Sequence, residues 1–168
     1  KGFIPFQKRK DYKILQETKI LHQKRKDLSK VQIIEYSILF IVLSHFELAK
    51  HKLEELSEIE FFSENNEVLK NKLIAFLSAG KEKDYILEKI NSEYAYLLKE
   101  IENNTNIRII INDKNDQAIL ELLNELILDF KKEGNLKKIE SLEKKLINNL
   151  DESSYSELIR LKSQINSE

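Results

Sequence analysis

The sequence predicts an all-α fold: a helical bundle followed by a long helix and a C-terminal antiparallel helical hairpin. Three features lead there. Three glycines and one proline in 168 residues are too few for the turns of an all-β chain. Apolar residues recur at i, i+3, i+4 and i+7 in segment after segment, which is the stripe of an amphipathic helix. Only one segment, around residues 103–112, carries a β-branched run, and it has no second strand to pair with.

The elements follow in order. Residues 1–30 carry ten basic side chains against Asp11, Glu17 and Asp27, a net +7, while the other 138 residues sum to −8. Ile14, Thr18, Leu21, Arg25 and Leu28 share one helical face, so residues 1–28 read as a basic linker or a docked helix over about residues 12–26. A nucleic-acid arm is the competing reading, but the lysines are interrupted by Ile14, Leu15, Ile20 and Leu21 rather than massed. Ser29 and Gln32 have capping-box spacing, and residues 31–43 after them are almost wholly apolar, predicting a helix buried on most sides. Residues 45–56 predict a second, amphipathic helix through Phe46, Leu48, Ala49, Leu53 and Leu56. Phe61 and Phe62 fall in a loop. Ser63 is placed to cap a third helix with the face Leu69, Leu73, Phe76 and Leu77, which Gly80 ends.

Two shorter helices are expected over residues 84–90 and 92–101, the latter facing inward with Tyr94, Leu97, Leu98 and Ile101. Ile107, Ile109, Ile110 and Ile111 beside asparagines predict an extended connector lying over the bundle. Helical spacing resumes at Ile119, Leu122, Leu123, Leu126, Ile127 and Phe130 and continues at Ile139, Leu142, Leu146 and Leu150. This predicts one long helix that Gly134 either bends or breaks, since glycine costs about 1 kcal/mol relative to alanine in a helix interior. Ser154 and Glu157 suggest a further capping box opening a last helix over residues 155–166, with Leu158, Leu161 and Ile165 facing back. The expected units are thus residues 29–133, a bundle, and 134–168, a hairpin.

Chemistry is hard to find in this chain. It has no cysteine, so thiolate zinc sites, disulfides and cysteine nucleophiles are excluded. His45 and His51 are six residues apart, off the i, i+4 spacing of helical zinc sites, and His22 stands alone. Gly2, Gly80 and Gly134 are isolated and form no phosphate loop; acidic pairs such as Glu54 with Glu55 and Glu58 with Glu60 fit solvated surface. No catalytic residue, cofactor or metal is therefore expected. The longest apolar run, residues 38–43, is far short of the roughly 18–20 residues of a membrane span, so no membrane partner is expected. The absence of any methionine suggests a piece of a longer protein.

The stretch from Glu35 to Ala49 (EYSILFIVLSHFELA), with Leu53 to Leu56 (LEEL) and Ile59 to Ser63 (IEFFS), resembles the C-terminal helicase-binding domain of bacterial DNA primase, the DnaG family. An acidic residue opens an apolar helix, and a joint His45-Phe46-Glu47-Leu48 stands where the family has His-Pro-Glu-Leu. The likeness extends through the long helix and terminal hairpin, covering about residues 30–168. It implies a cytoplasmic, non-catalytic interaction domain, in a parent protein that synthesises primers, whose hairpin docks on a DnaB-type replicative helicase and couples priming to unwinding. Nucleic acid would be bound weakly or not at all. The helicase-binding set expected on the hairpin is Tyr155, Leu158, Ile159, Arg160, Lys162, Gln164 and Ile165. Tyr155 and Ile159 lie off the face the two helices share; either they await a partner or they fold back onto the bundle. The structurally similar N-terminal domain of the helicase itself, and a helical scaffold or adaptor unrelated to replication, are the alternatives.

Overall fold

A computed structural model describes residues 28–104, 107–112, 114–148 and 151–166. Among the described residues there are eight helices and no strand. The expected helix over residues 12–26 lies outside them. The first, α1 (Lys30–Ser44), opens on the capping box read from the sequence. The Gln32 N–H donates to the Ser29 hydroxyl at 3.3 Å and the Ser29 N–H to the Gln32 side chain at 3.0 Å, so two orphan donors are satisfied reciprocally. Val31, Ile34, Tyr36, Ile38, Leu39, Ile41 and Val42 are all buried, making α1 the axis on which the bundle packs.

The single helix expected over residues 45–56 is instead two, α2 (Phe46–Lys50) and α3 (Leu53–Glu58), separated by a turn at His51 and Lys52. Local charge favours the division. Lys50 sits in the last turn of α2, while Glu54 and Glu55 occupy the first turn of α3, each complementing the dipole of its own helix end. Ala49 and Leu56 are fully buried on either side of the turn.

After the loop at residues 59–63, α4 (Glu64–Ser78) buries Leu69, Leu73 and Leu77. Gly80, at φ +63°, closes it as a Schellman motif: the Lys81 N–H donates to the Phe76 carbonyl and the Gly80 N–H to that of Leu77. The two pieces expected next are two helical stretches that meet at a non-helical kink at Tyr94 (φ −123°, ψ 22°), later than the expected break at residue 91, and together span α5 (Lys83–Asn104), with Ile86 and Ile90 buried before the kink and Leu97 and Ile101 after it.

The expected extended connector is a short helix, α6 (Ile107–Ile111). Ile107 and Ile111, four residues apart, are buried, while Ile109 and Ile110 face outward. Burying two isoleucines on one helical face outweighs the β-propensity of the run.

From Asn115, whose side chain accepts the Ala118 N–H at 2.9 Å, α7 (Asp116–Asn148) runs unbroken through Gly134. Its first half packs along α1 and carries Ile119, Leu123, Ile127 and Phe130 into the core; its second half pairs with α8 (Glu152–Asn166). A Cβ on Gly134 would lie 3.9 Å from the Phe62 ring, an ordinary van der Waals contact. Gly134→Ala is accordingly expected to raise stability by about 1 kcal/mol, read as a higher urea midpoint with unchanged helix content. A loss of stability would mean that the helix must flex at this residue.

Candidate docking surfaces

The α7–α8 hairpin has a small core of its own. Ile139 and Leu142 of α7 meet Leu158 and Leu161 of α8, with Leu146 packed against them, and this cluster is separate from the main core, which ends at Phe130 on the same helix. Glu143 and Lys162 close the seam with an ion pair at 2.7 Å.

The turn into α8 is built differently from the expected Ser154 cap. Asp151 is the cap. One of its carboxylate oxygens accepts from the Ser153 hydroxyl at 2.6 Å, the Ser154 hydroxyl at 2.8 Å and the Ser154 N–H at 3.1 Å. These hydrogen bonds, that from Ser153 foremost, hold its carboxyl down to about 2. A carboxyl depressed on folding stabilises the folded state above its unfolded pKa of about 4 and loses that contribution as pH falls through about 2. Asp151→Asn should therefore flatten the decline of hairpin helicity between those pH values, followed by circular dichroism.

The residues expected to bind a partner divide by position. Leu158 is buried inside the hairpin, so its part is to hold the two helices together and not to touch a partner. The side chain of Ile165 lies outside the described set, as does Leu150. Tyr155 and Ile159 are 54% and 51% exposed, so they do not fold back onto the bundle; they form a half-exposed apolar pair one turn apart. Lys162 follows Ile159 on that side but is engaged with Glu143. Arg160 and Gln164, both exposed, lie further round: at 3.6 residues per turn, Arg160 is about 100° from Ile159. A single flat surface cannot cover Tyr155, Ile159 and Gln164 together.

A second surface, which the sequence reading did not single out, lies where α7 leaves the bundle. Phe61 and Phe62 meet Phe130 with ring centroids 5.2 and 5.6 Å apart. Phe62 remains half exposed, with the Lys137 ammonium 3.9 Å from its ring centre. These rings line a groove of about 600 Å³ reaching to Gly134 and Asn135.

The loop that presents them is held by buried ionisable groups. Glu35, fully buried on α1, accepts the N–H groups of Phe62 at 2.6 Å and Ser63 at 3.2 Å and the Asn66 amide at 2.7 Å. Lys70, also buried, donates to the Ile59 carbonyl and pairs with Glu67 at 3.0 Å. Burial works against ionisation of Glu67, but the Phe61 N–H, Lys70 and Asn71 outweigh it and leave its pKa lowered. The polarity of Glu35 in an apolar helix was the available signal for this network, and the Phe61-Phe62 doublet was the signal for the groove.

Among the described residues no group of three or more His, Asp or Glu side chains is placed to hold a metal ion, and no helix is long and apolar enough to cross a membrane. Compared with family models, curated proteins and solved structures, the chain has no match.

Proposed function

We propose that this chain is a non-catalytic protein-interaction domain of a bacterial DNA primase, which binds the DnaB-type replicative helicase through its terminal hairpin and so couples primer synthesis to unwinding in the cytoplasm. The observation that carries the reading is the hairpin itself. It stands on a long helix beyond the main core, keeps a separate core, and leaves Tyr155 and Ile159 half exposed. The resemblance of residues 35–63 to the DnaG family names the partner. Two helices with four well-buried apolar residues hold little surface of their own, and half-exposed aromatic and aliphatic side chains at such an end suit a helix-in-groove contact.

Isothermal titration of the chain into a DnaB-type helicase tests the reading. Saturable binding that Tyr155→Ala weakens supports it. No heat and no co-elution at micromolar concentration would leave the scaffold reading in its place.

A further inference from the structure

We propose that the Phe62 groove and the outward side of the second half of α7 form one site for single-stranded nucleic acid, with a base stacked on Phe62 and the phosphates following lysines along the helix. This inference does not rest on the helicase reading. Residues 134–148 hold Lys137, Lys138, Lys144 and Lys145 against Glu140 and Glu143. All four lysines are exposed. They form two pairs seven residues apart, close to two turns, and so share one side of α7. Ile139, Leu142 and Leu146 turn the other side toward α8, and Glu143 is engaged there by Lys162. No ion pair among the described residues holds Lys137, Lys138 or Lys145.

Two hollows adjoin at this side. One is the groove of Phe61, Phe62 and Phe130, whose walls also include Asn135 and Lys138. The other, shallow and about 470 Å³, is lined by Lys137, Glu140, Ser141, Lys144 and Lys145. Lys137 joins them: it borders the second and lays its ammonium 3.9 Å from the centre of the Phe62 ring, which borders the first. From Gly134 to Lys145 the run is about 17 Å along the helix. The side of α8 that carries Tyr155 and Ile159 is elsewhere, since Glu143, the partner of Lys162, lies about 160° round α7 from Lys145.

Charge and shape select the occupant. Along α7 the site is basic, but the lip of the groove carries Glu58, already paired with Lys131 at 2.8 Å, and Glu60. The ligand is therefore anionic along the helix and neutral and flat where it enters the groove, which is the alternation of phosphate and base in a single strand. A peptide rich in carboxylates would meet Glu60, whereas the amino groups of a base can donate to it, and the Asn135 amide offers both a donor and an acceptor to a base edge. The Lys137 ammonium holds the place of that base. An exposed cation–π contact is weaker than base–aromatic stacking, so a base displaces the ammonium and leaves it free for the adjoining phosphate. A duplex keeps its bases stacked inside and has none to offer Phe62.

The test is fluorescence anisotropy of a labelled mixed-sequence strand of about 16 nucleotides, titrated with the full chain over a range of salt concentrations. Deoxy and ribo strands are run in parallel, and the tighter of the two names the source. Lys144→Gln combined with Lys145→Gln, at exposed positions, should raise Kd on the order of ten-fold and lessen the slope of log Kd against log salt by about 1.4, two phosphates at about 0.7 each. Phe62→Leu should weaken binding by about ten-fold and leave the slope unchanged, because it removes stacking and no charge. Circular dichroism checks that both variants keep their helix content. An unchanged slope in the double lysine variant would overturn the proposal, since the phosphates would then lie on lysines elsewhere in the chain. So would parent-like binding by Phe62→Leu, or a duplex bound as tightly as the single strand. Polyglutamate that displaces the strand as readily as unlabelled strand of equal charge would assign the lysines to an acidic protein instead.

Discussion

Glu35→Ala is expected to lower stability by about 3 kcal/mol, the largest effect of any single substitution considered, since each buried donor left unpaired costs about 1–3 kcal/mol. Three donors lose their acceptor at once: the N–H groups of Phe62 and Ser63 and the amide of Asn66. Water entering the space left by the carboxylate offsets part of the sum. Glu35→Gln keeps one oxygen for the two backbone donors and should cost less than half as much. Urea unfolding of both variants checks the order. A second consequence is local: the loop that Glu35 fixes presents Phe61 and Phe62 to Phe130, so Glu35→Ala should also loosen the point at which α7 leaves the bundle. Faster hydrogen exchange at residues 61–63 would record it.

Tyr155→Ala and Ile159→Ala are each expected to weaken helicase binding by more than about 2 kcal/mol, roughly thirty-fold in Kd, with helix content unchanged. Both side chains are half exposed and neither contributes to the hairpin core, so truncation removes contact without opening a cavity. Arg160 is a control within the same element. It lies on another side of α8, and Arg160→Ala should weaken binding less than either apolar substitution. The reverse ranking would move the contact to the side of α8 that carries Arg160 and Gln164. Leu158→Ala belongs to a different class, because Leu158 is buried against Ile139 and Leu142; its effect should appear in hairpin stability first.

How far the sequence revealed this fold depended on whether a signal was local. The capping box at Ser29, the αL glycine at residue 80 and the apolar periodicity of α4 and α7 are each set within a few residues, and each stands where periodicity and cap chemistry placed it. The errors came where burial across the chain decided. Ile107 and Ile111 turned a β-prone run into a helix because the bundle offered both a place inside. Residues 45–56 kept helical periodicity across a turn, so spacing alone did not reveal the division that Lys50, Glu54 and Glu55 favour. At the last helix Ser154 was expected as the cap, and Asp151 took the position because its carboxylate accepts from the hydroxyls of both Ser153 and Ser154.

The candidate surfaces were legible to a similar degree. Tyr155 and Ile159 could be read as leftover apolar residues, since the inner seam of a two-helix pair is a matter of spacing. Arg160 and Gln164 were grouped with them on nearness in sequence, although 3.6 residues per turn carries both to another side of the helix. The groove at Phe62 needed tertiary contacts: Gly134 lies 72 positions further along the chain, and nothing in either segment names the other.

The most direct test of the hairpin as the docking element is co-elution of a DnaB-type helicase with the intact chain and with a chain ending at residue 150. The bundle has its own core, so circular dichroism should report a folded shorter chain. The intact chain should travel with the helicase and the shorter one should elute alone. A folded shorter chain that still travels with the helicase would contradict this and move the contact to the bundle.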